Sequence, residues 1–308
     1  MLSQKTVSYF QTFGFVVLRG LLSEAEVAQL REETSFAMTD VYGDRFQDKT
    51  IMVTDEPAYG LPMMTEETPF ASRLVADDPR FWQSSHHLMG TATVPSNGAA
   101  TCFRANARWH ADMASTAKGV KFMTYLDGCS PETGLFQVLP GSHIAGATTR
   151  LSGYIRQDPC RQGFLDEPED WPIPAYSVNT QPGDVIAFHT NLLHASRGGD
   201  LRMAWDVNYF PDPILEKVEQ REITRDAILH IGDYTGQGLD HEKWPVWRDW
   251  AKPNHASVVR QTAINRLRRL GVLETEGAES GTPQWVPRLP SPSAVWMSGA
   301  PPRKRSVK

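Results

Sequence analysis

The stretch from Thr101 to Phe210 most constrains how this chain can fold, because short apolar runs there are separated by Gly, Pro, Asn and Asp. Runs of that length bury little surface as helices, and the residues between them favour tight turns. The pattern predicts antiparallel strands closed into a sandwich or barrel. Lys121–Leu126, Leu135–Leu139, Val185–Phe188 and Arg202–Phe210 are the clearest strands. A β-branched run between Gly14 and Gly20 predicts another, entered through Tyr9–Phe13. It is followed by a helix from Ser23, an N-cap residue with Glu24 and Glu26 in the first turn, to about Met38. Prolines at 57, 62, 69, 79 and 95 break the pattern from Ile51 to Pro95, leaving loops and a helix near Phe81–Met89. Ile223–Ile231 and Val258–Leu270 have helical periodicity. The expected fold is mostly β with flanking helices.

One domain is expected over 1–275, with its strand core at about 100–210. Residues 276–308 turn to Gly, Pro and Ser and end on basic residues. Such a segment buries too little to offset its ordering entropy, so it reads as a flexible tail. Its basic end is better read as a solvated terminus than as a nucleic-acid or targeting patch. The chain carries 31 Lys+Arg against 36 Asp+Glu, a formal charge of -5. That balance offers no general attraction to nucleic acid or an anionic membrane, and a small-molecule partner is the default. Cys102, Cys129 and Cys160 show no CxxC spacing or paired framework. With no leader-like N-terminus and no apolar run of membrane-spanning length, the expected location is cytoplasmic. Oligomeric state leaves no mark in the sequence.

Chemistry enters at Trp109-His110-Ala111-Asp112. On an extended segment, side chains two apart share a face, so the imidazole and carboxylate converge. The strand Val185–Phe188 leads into His189-Thr-Asn-Leu-Leu-His194, which offers two further histidines. Two histidines and one carboxylate on one face of an octahedron suit iron(II) and leave positions open for a chelating cosubstrate and dioxygen. Arg202, on the following strand, has the planar guanidinium that grips a carboxylate through parallel hydrogen bonds, and Ser196 adds a hydroxyl. An HxD triplet alone is weak evidence; the surrounding residues raise its weight.

Several segments together resemble the phytanoyl-CoA dioxygenase-like family of Fe(II)/2-oxoglutarate-dependent oxygenases. They are Phe10-Gln-Thr-Phe-Gly-Phe-Val-Val-Leu-Arg-Gly-Leu-Leu-Ser23, Gly134-Leu-Phe-Gln-Val-Leu-Pro-Gly-Ser-His143, and Pro182-Gly-Asp184 through Phe188 to His194, within roughly residues 7–210. The resemblance implies a double-stranded β-helix (jelly-roll, cupin-like) core. It implies iron(II) on His110, Asp112 and His194, with His194 preferred over His189. It also implies 2-oxoglutarate held by Arg202 with help from Ser196, and O2 as oxidant. Arg202 follows His194 by only eight residues, a shorter connection than the family's; Arg197 is the alternative. His143 and Asp184 read as turn residues rather than ligands.

If Arg202 points inward, alternation places Ala204, Asp206 and Asn208 with it and Met203, Trp205, Val207 and Tyr209 on the opposite face. Alignment by the resemblance turns Met123 inward, and with it Lys121 and Tyr125, candidate cosubstrate contacts. Arg104, Asn106 and Arg108 alternate into His110 and are candidate substrate contacts, as are Asp206 and Asn208. Trp244, Trp247 and Trp250 read as packing. The implied activity is hydroxylation, or another oxidation at an unactivated C–H bond such as desaturation, ring closure or epimerisation, of a small polar or anionic metabolite or natural-product intermediate, with release of succinate and CO2. A catalytically silent jelly-roll binding protein and a zinc hydrolase are the weaker alternatives. Intact ligands oppose the first, and the second has no use for Arg202.

Overall fold

The computed structural model describes residues 2–43, 58–103, 106–113, 117–147, 173–214, 216–233, 239–252 and 257–273. Arg104, Cys160 and the expected tail at 276–308 lie outside them.

Two antiparallel sheets face each other. In chain order the strands are β1 (Phe15–Leu18), β2 (Ala58–Pro62), β3 (Thr93–Phe103), β4 (Ala107–His110), β5 (Val120–Tyr125), β6 (Leu135–Val138), β7 (Tyr176–Val178), β8 (Val185–His189), β9 (His194–Arg197) and β10 (Arg202–Pro211). The larger sheet runs β1-β8-β5-β10-β3-β2 and the smaller β4-β9-β6-β7. From β3 to β10 every connection crosses between the sheets except that of the adjacent pair β6–β7, as in the expected jelly roll; β2 and β3 are also neighbours within one sheet.

Alternation along the strands builds three cores. Between the sheets lie Phe15, Met123, Tyr125, Phe136, Val138, Ile186, Phe188 and Ala204. The other face of the large sheet presents Phe122, Trp205, Val207 and Tyr209 to the helices. Trp109, Leu193 and Ala195 pack behind the small sheet. A fully buried side chain of this kind contributes about 1.5–3 kcal/mol, so the outward-facing half of β10 fixes its parity. Arg202, Asp206 and Asn208 are thereby turned to the interior.

The helices are α1 (Gln4–Phe13), α2 (Glu24–Tyr42), α3 (Pro69–Leu74), α4 (Pro79–Met89), α5 (Val218–Ile231) and α6 (Val258–Leu270). In α2, Ser23 and Glu26 close a reciprocal capping box, and Leu30, Ala37 and Met38 face the core. The helix runs one turn beyond the expected end. Residues 9–13 are not a lead-in but the last turns of α1, whose N-cap is Ser3. The proline-broken region contains α3 and β2 as well as α4. In both short helices of that region proline sits in the first turn, where its missing N–H costs nothing.

The three tryptophans do pack, in a turn-rich segment rather than a helix. Their indole N–H groups donate to Asp40 from Trp244, to the Ser96 carbonyl from Trp247 and to the Ser72 carbonyl from Trp250. Cys102 and Cys129 are buried. No helix among the described residues is long and apolar enough to cross a membrane.

Candidate metal centre

His110 ends β4 and His194 begins β9, and the two occupy paired positions across those strands. Their rings lie 4.3 Å apart, centroid to centroid. In each imidazole Nδ1 faces a carbonyl two residues back, Arg108 at 2.7 Å for His110 and Leu192 at 2.9 Å for His194. With Nδ1–H donating there, the Nε2 lone pair is the one presented to the interior. Asp112 Oδ1 stands 3.8 Å from His110 Nε2 and 3.6 Å from His194 Nε2. One ligand atom from each of the three residues lies within 4.8 Å of the other two.

Asp112 reaches this point differently from the expected strand alternation. β4 stops at His110, and residues 112–113 form a bend pinned by Met113 N–H to the Thr190 carbonyl (3.0 Å) and by Asn191 Nδ2 to the Met113 carbonyl (3.2 Å). Alternation also fails before His110. Ala107 pairs with Ser196 and His110 with His194, so one extra residue is held in β4, a bulge. The expected alternation of Asn106 and Arg108 with His110 therefore fails; Arg104, the third of that expected series, lies outside the described residues. Asn106 is exposed, its Oδ1 accepting from Gly198 N–H at 2.8 Å, and Arg108 is exposed.

Charge in the centre is arranged around Lys121, whose Nζ lies 3.4 Å from Asp112 Oδ2 and 3.6 Å from Asp206 Oδ1. Burial alone would raise the Asp112 pKa, but Lys121 and the two histidines outweigh it and bring the carboxyl to about 2. Burial, reinforced by His110, takes His194 down to about 3. A carboxylate and a neutral imidazole are the forms a metal needs. Asn208 sits directly across from Lys121, its Nδ2 donating to Asp206 Oδ1 at 3.3 Å.

Arg202 is buried on the interior face of β10. Its Nη2 donates to Ser196 Oγ at 3.0 Å, and its guanidinium carbon lies 5.6 Å from the Phe103 ring centre. Burial lowers its pKa from the ordinary arginine value. Gly134, at φ +109°, lets the arginine stem pass: a Cβ there would stand 2.4 Å from Arg202 Cδ. Tyr125 is buried on the same face, 6.5 Å ring to ring from Phe103. Arg197 lies one residue beyond Ser196 and so on the opposite face of β9, away from the interior.

His189 is not near the three. Its ring stacks between Phe10 (4.4 Å) and His143 (4.6 Å), and burial holds its pKa at about 3. His143 Nε2 meets the Gln11 carbonyl at 3.1 Å. Asp184 accepts from Gly20 N–H, Gln181 N–H and Arg19, the turn role expected of it.

A cavity of about 190 Å³ opens beside the centre, with His110, Asp112, Lys121, Asp206 and Asn208 on its wall. Thr101, His230 and Ile231 complete the lining, and sequence reasoning missed all three. His230 and Ile231 come from the end of α5, and no local pattern signals where a helix end will dock.

The fold and this centre together define a jelly-roll protein with a two-histidine, one-carboxylate face. The phytanoyl-CoA dioxygenase (PhyH) model matches residues 10–204, and the chain belongs to that family of Fe(II)/2-oxoglutarate-dependent oxygenases. No curated protein matches it. Similar solved structures include HygX from Streptomyces hygroscopicus with nickel and 2-oxoglutarate bound (18% identity, TM-score 0.52, 68% of this chain and 88% of that one). They also include SnoN, the non-heme alpha ketoglutarate dependent epimerase from nogalamycin biosynthesis (14% identity, TM-score 0.50, 68% of this chain and 82% of that one). At these identities the likeness bears on the fold alone.

Proposed function

We propose that the protein is an Fe(II)- and 2-oxoglutarate-dependent dioxygenase that hydroxylates an unactivated C–H bond of a small molecule. The observation that carries the proposal is the meeting of His110 Nε2, His194 Nε2 and Asp112 at one point, with Arg202 buried on the neighbouring sheet. The donor set suits the metal: two imidazoles and one carboxylate on one side leave the other side open. HygX, solved with 2-oxoglutarate bound, and SnoN, named as alpha ketoglutarate dependent, share the fold and support the reading.

Iron(II) with 2-oxoglutarate supplies the oxidising chemistry, coupling reduction of dioxygen and decarboxylation to succinate and CO2 to cleavage of the substrate C–H bond. The chain's own residues hold and orient. His110 and His194 present Nε2 because their Nδ1–H groups donate to backbone carbonyls. Asp112 supplies the charged ligand, and Lys121 steadies its other oxygen. Arg202 offers a charge-assisted grip for the distal carboxylate of the diacid, with Ser196 Oγ aligning the guanidinium. Phe103, Tyr125, Phe136 and Phe188 line the space between the sheets and exclude water, which strengthens each of those polar contacts.

Anaerobic titration of the protein with ferrous ion and then 2-oxoglutarate is expected to develop the visible charge-transfer absorption of a chelated keto acid. His110→Ala is expected to abolish it along with succinate release. Failure of the unaltered protein to bind ferrous ion stoichiometrically would refute the proposal.

A further inference from the structure

We propose that the cavity beside the metal centre takes a compact head group bearing hydroxyl or amine donors and no anionic charge, read by Asp206 and Asn208. The inference rests on the functional reading above and adds the substrate class.

The cavity lies on the substrate side of the three ligands. His110 and Asp112 form part of its wall, whereas Arg202 and Ser196, the residues for the diacid, do not. A substrate group there stands against the metal without competing for the arginine.

The wall's polar atoms are mostly acceptors. Asn208 is 1% exposed; its Nδ2 is committed to Asp206, and its Oδ1 is buried with no hydrogen-bond partner among the described residues. A buried acceptor left in that condition is costly, and a donor arriving with a ligand satisfies it. Asp206 Oδ1 stands beside it, and Thr101 faces the same space from β3. The cation on this wall that would recruit an anion, Lys121, already faces the carboxylates of Asp112 and Asp206. An anionic head would have to draw Lys121 off Asp206 and then lie against that carboxylate, which like-charge repulsion opposes. The preference for an anionic metabolite suggested by Lys and Arg residues near the site is therefore weakened by where Lys121 points.

Position in the chain supports a role in selecting substrate. The family match ends at residue 204, while Asp206, Asn208, His230 and Ile231 all follow it. β3 carries a β-bulge opposite one of these residues, where Ser96 and Asn97 together oppose Asn208. The volume sets the scale of the group. A cavity of roughly 150 Å³ accommodates benzene, so 190 Å³ admits about seven or eight heavy atoms.

The test uses the full chain loaded with nickel(II) and 2-oxoglutarate, which does not turn over. Three size-matched cyclic probes are added: cis-cyclohexane-1,2-diol, 2-aminocyclohexanol and cyclopentanecarboxylate. Binding is read by calorimetry, and placement by paramagnetic relaxation of the ring protons by nickel. The diol and amino alcohol are expected to bind near the metal, and the carboxylate at least about tenfold more weakly. Asn208→Leu should weaken the first two about tenfold, the loss of one buried hydrogen bond, with nickel and 2-oxoglutarate titrations unchanged. Asp206→Asn should bring the carboxylate up, because Lys121 loses a partner. A carboxylate that binds as well as the diol to the unaltered protein overturns the inference, as does relaxation of none of the probes or indifference of binding to both substitutions. Failure of nickel or 2-oxoglutarate to bind is a separate result that removes the functional reading and this inference with it.

Discussion

Gly134→Ala tests whether Arg202 is the diacid grip. Gly134 adopts φ +109°, where an L residue is strained by about 1–3 kcal/mol. The new methyl would also sit 2.4 Å from Arg202 Cδ and 2.8 Å from the Gly198 carbonyl oxygen, and both neighbours are held. Relieving that overlap moves the arginine stem and costs a further ~1–2 kcal/mol, so a stability loss of about 2–5 kcal/mol is expected. A displaced guanidinium keeps at most one of its two bonds to a carboxylate. Losing one charge-assisted bond is worth about 1.5–3 kcal/mol, or roughly ten- to a hundredfold in 2-oxoglutarate affinity. Gly198→Ala serves as the comparison. Gly198 also has positive φ (+69°), but its Cβ meets nothing within 4 Å. It should cost about 1–2 kcal/mol of stability and leave 2-oxoglutarate affinity unchanged. Urea melts and anaerobic calorimetry on the metal-loaded proteins measure both quantities. Equal 2-oxoglutarate affinities in the two variants would refute the assignment of Arg202.

His189→Ala should retain ferrous ion at near wild-type affinity while losing stability, since its ring is clamped between Phe10 and His143; equilibrium metal titration decides, and loss of iron would reassign the distal ligand. Glu26 has its pKa lowered from 4.5 to about 2, chiefly by its hydrogen bonds to Arg80. A depressed folded pKa means stability that is present above pH 4.5 and lost as the pH falls toward 2. With both side chains partly exposed, the pair should contribute about 1–2 kcal/mol. The wild-type advantage over Glu26→Gln in urea melts should be full at pH 7 and mostly gone by pH 2. Glu33 accepts Phe70 N–H and Ala71 N–H at 2.8 and 2.9 Å across the start of α3; Glu33→Ala strands both amides and should cost about 2–4 kcal/mol in the same melts.

The sequence made visible those features that depend on local pattern. Strands β5, β6, β8 and β10 follow from apolar runs, and β10's parity follows from Trp205, Val207 and Tyr209 needing a core, which turned Asp206 and Asn208 inward as expected. The two histidines and the aspartate were legible as chemistry, although not as geometry. Whether Asp112 lies on a strand or in a bend depends on Thr190 and Asn191, nearly eighty residues away. The bulge in β4 is a mismatch between two strands and has no signature in either alone, which is why Asn106 and Arg108 were misplaced. Helix α1 was missed because its aromatic and β-branched residues read as extended, although Ser3 and Gly14 mark its ends. His230 and Ile231 reach the cavity only through the docking of α5.

His110 and His194 face each other across one strand pair, whereas the carboxylate hangs from a bend beyond it. Backbone ladder bonds therefore set the spacing of the imidazoles before any ion arrives, and the third donor has a short tether of its own. Such a seat has two fixed corners and one that swings. Metal exchange should proceed by release of the aspartate first, and substitutions that loosen the Met113–Thr190 tether should speed exchange without disturbing the sheet.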